Sequence, residues 1–236
     1  MKKRLVIAVI LSLIICILSG CGISDKNAYK SQGKKNAVKY IEEKYGFKPS
    51  VKSVEAIKYN GSPIAFSASS YTGYVYVKME HDNKTFYVHL SATSKNTDGV
   101  DNYQVDVIED AIEKKLNEMV DNIIHIDYCI GTSKEDSSDP YYGMIPLKYD
   151  GNNLNEVLES AQLKRIVVSL AESDLNVLTE EMINEVFGSK TDILFVNYKS
   201  MEDYQKAENT TYGLRDYRIS SGIEKNDAYI VDYIQF

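Results

Sequence analysis

The chain contains no tryptophan, only three cysteines and only three histidines among 236 residues. It also lacks the short patterns that mark common chemistries. There is no Gly-rich phosphate loop, no dinucleotide fingerprint, no G-x-S-x-G elbow, no H-E-x-x-H and no C-x-x-C pair of cysteine ligands. Nucleotide-dependent enzymes, elbow hydrolases and zinc centres of those types are therefore not expected. Basic charge is in deficit as well, with 27 Lys and Arg against 34 Asp and Glu and a net charge of −7. A nucleic-acid binder presents a basic face, so nucleic acid is not an expected partner.

What the chain does have stands first at its beginning. Met1-Lys2-Lys3-Arg4 is basic, and no acid occurs before Asp25. Leu5 to Leu18 follows as LVIAVILSLIICIL, broken only by Ser12 and Cys16. As a helix this run rises about 21 Å, whereas a spanning helix needs about 20 apolar residues for about 30 Å of hydrocarbon. The run is short for a permanent span and has the length of a secretory apolar region. Leu18-Ser19-Gly20-Cys21 then resembles, at all four positions, the lipobox of bacterial lipoprotein signal peptides. The resemblance covers only the first twenty or so residues. It implies that residues 1–20 are a signal peptide and that Cys21 receives a diacylglyceryl group on sulfur and becomes the mature N-terminus. The implied partner is the membrane, reached through that anchor, and the implied location is the extracytoplasmic face of the cell membrane. Small residues at 19 and 20 let a peptidase reach an extended backbone. The cysteine supplies the thiolate that takes the lipid. With nineteen tyrosines and no tryptophan, the chain looks like a lipoprotein of a low-GC Gram-positive bacterium.

Cleavage there would remove Lys2, Lys3 and Arg4, leaving 24 basic residues against 34 acidic ones, a net of −10. Cys16 would leave with the signal and Cys21 would carry lipid. Only Cys129 would remain, so no intramolecular disulfide is expected, and Cys129 reads as a small buried hydrophobe. Residues 21–33 read as a lipidated tether. At this end of the chain Lys26, Lys30, Lys34 and Lys35 face Asp25 alone, a balance that suits either contact with anionic lipid or plain solvation.

The rest reads as an α+β chain. A helix is expected from about Lys34 to Tyr45, stopped by Gly46 and Pro49, then a strand over Val51–Tyr59. Tyr74–Glu80 and Thr85–Leu90 alternate apolar and polar residues around Asp82-Asn83, two residue types that tolerate positive φ. Placing those two at the turn pairs Val75 with Leu90, Val77 with Val88 and Met79 with Phe86 on one face. Tyr76 then meets His89, Lys78 meets Tyr87 and Glu80 meets Thr85 on the other. A slip of one residue would destroy both faces. A polar loop (93–102), a helix (about Tyr103 to Asn122, striped by Ile108, Ala111, Ile112, Met119 and Val120) and a strand (Ile123–Ile130) follow. The polar run Lys134–Pro140 is the expected boundary between an N-terminal half, 34–130, and a second, smaller α/β half, 141–236. The first half, with helices on an antiparallel sheet, has a cystatin-like order. In the second half strands are expected at Leu163–Leu170, Ile193–Tyr198, near Asp216–Ser220 and at Asp227–Ile234. Helices are expected after Thr179, which caps Glu180 and Glu181, and over Ser200–Glu208. Tyr45-Gly46-Phe47-Lys48 and Phe187-Gly188-Ser189-Lys190 share an aromatic-Gly-x-Lys pattern, which either a duplication or ordinary helix-stop chemistry would produce.

No catalytic constellation emerges, and no cofactor or metal is expected. His81 and His89 fall five pairs apart in the hairpin register, too far to share an ion. Asp98–Asn102 and Asp136–Asp139 offer oxygens but match no calcium loop. The candidate binding surface is the polar hairpin face with Tyr74, Tyr76, Tyr87 and His89, beside Tyr71, since exposed aromatics suit saccharide or peptide. The expectation is thus a lipid-anchored, non-enzymatic binding module for envelope protein, peptide or cell-wall saccharide. The alternative is an extracytoplasmic hydrolase whose residues converge only in the fold.

Overall fold

The computed structural model describes residues 25–59, 70–93, 98–130, 132–133, 143–161, 163–208 and 230–235. The lipobox, the 134–140 run with Asp136–Asp139, and the strand expected near 216–220 lie outside them. The fold is α+β, with two sheets and packed helices. Among the described residues no helix is long and apolar enough to cross a membrane.

The chain divides into two compact units between Val100 and Asp101. The first holds helix α1 (residues 25–45) and a four-stranded sheet ordered β1-β2-β3-β4, with β1 Ser50–Tyr59, β2 Ser70–His81, β3 Lys84–Ser91 and β4 starting at Gly99 and ending on Asp101. The β2–β3 hairpin has the expected register at all six pairs. Asp82 and Asn83 occupy its turn with φ of 47° and 63°, the positive values that match the twist of the flanking strands. Val75, Val77, Met79, Phe86, Val88 and Leu90 are all buried on one face.

Helix α1 begins earlier than expected. Residues 25–33 are helical where a tether was expected. Gly33 is buried, and a Cβ there would meet the Val75 side chain at 2.4 Å, so its lack of side chain lets the helix axis approach β2. Asn36 is buried with its Nδ2 donating to the Ser91 carbonyl at 3.0 Å, while Gln32 donates to its Oδ1. Ala37, Tyr40 and Ile41 continue the buried stripe. The first part of that stripe is built from glycine and asparagine, so a search for apolar periodicity begins it too late.

The second unit contains α2 (Val105–Met119), β5 (Ile123–Ile130), β6 (Thr132–Ser133), α3 (Leu154–Ser160), β7 (Leu163–Ala171), α4 (Glu180–Phe187), β8 (Asp192–Tyr198), α5 (Met201–Glu208) and β9 (Ile230–Gln235). Its sheet is ordered β6-β5-β7-β8-β9, with β7 and β8 parallel and the other pairs antiparallel. This corrects the expected division. Helix α2 and strand β5 belong with the C-terminal elements, because β5 pairs with β7 rather than with the hairpin sheet. The second unit is also the larger of the two. Helix α4 makes the crossover that parallel neighbours require. The Thr179 hydroxyl accepts from the Met182 amide at 3.3 Å at its start, and Gly188 ends it at φ 81°.

Both faces of this sheet are covered. Ile166, Val168, Leu170, Ile193 and Phe195 pack with α2, α3 and α4. On the opposite face Val167, Leu194, Val196 and Tyr198 pack with Ala207 and Tyr204 of α5. That double burial explains the near-continuous apolar run of β7 and β8. Both aromatic-Gly-x-Lys stretches stop a helix. Gly46 and Gly188 have φ of 82° and 81°, yet the first leads into an edge strand and the second into an interior parallel one.

Candidate functional site

The outer face of the hairpin brings the expected site residues together. Tyr76 pairs with His89 across the strands and Lys78 with Tyr87. The His89 ring stacks on Tyr76 at 4.7 Å and lies 5.5 Å from Tyr74. The Lys78 ammonium sits 5.8 Å from the Tyr87 ring centre, a cation–π contact. Exposure divides the group. Tyr74 is 48% exposed, whereas Tyr76 is only 7% exposed. Tyr71, Lys78, Tyr87 and His89 are partly buried. Tyr76 is therefore a support beneath the strip and not a contact residue, which corrects the expectation. Alternation assigns a residue to a face; it carries no information on what covers that face.

Burial lowers the His89 pKa below its ordinary 6.5, because an imidazolium loses hydration there. The neutral ring is thus the form the fold favours. Stability from this group is present above about pH 6.5, the unfolded value, and is lost as pH falls through the lower folded value. His89 ring protons should titrate with a midpoint below 6.5. The first unit should melt at lower temperature as pH drops from about 7 to 5, and His89→Gln should flatten that dependence. An NMR midpoint at or above the ordinary value would contradict the burial.

In the second unit His125 Nε2 lies 3.1 Å from Asp127 Oδ1, with the His125 side chain 46% exposed and Asp127 buried. Ser169 stands directly opposite His125 in the β5–β7 register, on the α5 side of the sheet. Serine, histidine and aspartate types thus share one face. Ser169 has no solvent exposure, however, so its hydroxyl cannot meet a substrate in this conformation. Asp127 and Ser169 read as buried polar members of the α5-side packing.

Of the two acidic loops, Asp98–Asn102 is described. The Asp101 carboxylate accepts the Tyr103 amide at 2.9 Å, and the Asp101 backbone bridges to Ile145. Asp101 is almost fully buried and sets the start of α2. Among the described residues no group of three or more His, Cys, Asp or Glu could hold a metal ion. Cys21 lies outside the described residues, and the Cys129 side chain is likewise not described. No family model, curated protein or solved structure matches this chain.

Proposed function

We propose that this protein is a lipid-anchored binding module of the cell envelope, held at the extracytoplasmic face through a diacylglyceryl group on Cys21. Its ligand class is envelope protein, peptide or cell-wall saccharide, engaged by the outer hairpin face. The observation that carries the binding reading is the strip Tyr74–His89 with Tyr76 beneath it. Tyr74 is half exposed, the imidazole beside it has its pKa lowered by burial, and the buried Tyr76 stacks on that imidazole. Rigid aromatic area of this kind is gained at low entropic cost. A photo-crosslinking residue at position 74 or 87 in living cells should capture the same envelope component from both sites. The same residue at Val177, exposed in the second unit, should capture nothing. Repeated failure at both hairpin positions would reject the face.

A second reading, an extracytoplasmic hydrolase, is favoured by the His125–Asp127 pair opposite Ser169. It requires α5 to move and uncover Ser169. A fluorophosphonate serine probe distinguishes the readings: labelling lost on Ser169→Ala supports the enzyme, and an unlabelled wild-type protein supports the binder.

A further inference from the structure

A groove of about 470 Å³ runs between the first turns of α1 and the edge strand β1. Lys26 and Lys30 line it from the helix. Lys58 and Glu55 line it from the strand, and Tyr71 lines it from β2. Among the described residues none of the three lysines forms an ion pair, with Glu55 or with any other carboxylate. Three lysines, with Glu55 the one carboxylate beside them, thus line a single groove in a chain whose net charge is −7. They come from two elements that the fold brings together, so the cluster is more than a run of tether lysines.

We infer that this groove binds the phosphodiester headgroup of an anionic phospholipid. The inference rests on the anchored reading for the place of the membrane. Lys26 is five residues beyond Cys21, so at most about 18 Å of extended chain separates them. Lys30 lies one turn on, about 6 Å further. Acyl chains on Cys21 would therefore keep the groove within reach of the headgroups. The acidic remainder of the chain is repelled by an anionic surface, and the groove presents the opposite sign at the membrane-proximal end. Each lysine contributes favourably only within about a Debye length, about 8 Å, of the lipid charge. The Tyr71 phenol adds a donor of the amphipathic type that suits an interface.

The test uses the native protein, extracted from membranes and reconstituted into vesicles. One set is phosphatidylcholine alone and the other is equal parts phosphatidylcholine and phosphatidylglycerol. Lysine acylation is then read residue by residue by mass spectrometry. Lys26, Lys30 and Lys58 should react about fivefold more slowly on the anionic vesicles, the gain expected for one basic residue near such a surface. Lys114 and Lys115 of α2 should be unchanged. Added salt should remove the protection, and Lys58→Gln should weaken it at Lys26. Equal reactivity of the three groove lysines on both vesicle types overturns the inference. So does protection by an oligo-glutamate peptide without protection by phosphatidylglycerol. Equal protection by inorganic phosphate in detergent keeps the phosphate site and makes the free ion its source. The same digest reports the mass of the N-terminal peptide. Protection with no lipid on Cys21 leaves the groove standing and rejects the anchor, so the two failures are separable.

Discussion

Gly33→Leu is expected to lift α1 from its sheet and to remove a large share of the stability of the first unit. A Cβ at residue 33 would lie 2.4 Å from Val75 Cγ2 and 3.0 Å from Cγ1, whereas carbon atoms attract best at about 3.5–4.0 Å. Val75 has no exposed surface, lies on an interior strand, and faces Leu90 across the ladder. A β-branched side chain is also stiff at χ1, so it cannot swing aside. Gly33→Ala alone should therefore overpack the contact by about 1–3 kcal/mol. The better helix propensity of alanine, about 0.5–1 kcal/mol, offsets only part of that. Leucine adds three further carbons at the same point and should exceed the alanine cost. Against a usual total of about 5–15 kcal/mol, a loss of that size is decisive. Denaturant unfolding followed by circular dichroism measures it. Val75→Ala opens the space that the new methyl group of Gly33→Ala needs. The double variant should therefore be less destabilised than the two single costs together, by about 0.5–3 kcal/mol. A Gly33→Leu protein as stable as wild type would mean that the helix does not seat here.

Cys21→Ala should abolish membrane attachment by lipid. No other residue near the processing point offers a thiolate, and Cys16 lies inside the apolar run. Two acyl chains give stable attachment because each buried methylene adds about 0.8 kcal/mol and one chain alone is marginal. Cells fed a fatty-acid analogue should label the wild-type protein and leave the variant unlabelled. The variant should also keep residues 1–20, since cleavage follows lipid transfer in the signal type that Leu18–Cys21 resembles. Cys21→Ser should behave the same way, because a hydroxyl does not replace the thiolate as nucleophile. Normal labelling of Cys21→Ala, or a native product with its first twenty residues intact, would end the anchored reading.

The hairpin is legible in the sequence because everything that specifies it is local. Two strands alternate in phase, their apolar faces match in one register, and Asp82-Asn83 supplies the positive φ at the turn. Thr179 and Gly188 bracket α4 for equally local reasons. The start of α1 is not legible, since its buried face there is Gly33 and Asn36 and carries no hydrophobic signal. The allegiance of β5 is not legible either. Its apolar pattern fits any sheet, and its partner β7 starts more than thirty residues further along the chain. Helix α3 and the short strand β4 escape a sequence reading because each is brief and borrows its order from neighbours. At the candidate site, residue types and pairing follow from the hairpin register. The burial of Tyr76, the depressed His89 pKa and the convergence of Lys26, Lys30 and Lys58 do not.

By itself the amino-acid order determined the elements with near-neighbour causes: a strand pair held in one register, helices bounded by caps and glycine, and a leading segment shaped like a lipoprotein signal. Tertiary structure alone decided which strands share a sheet, which tyrosine faces water and which lysines meet in a groove. Those outcomes depend on contacts between residues distant in the chain. Such contacts are chosen by the packing of whole faces, and no short stretch of sequence contains both partners.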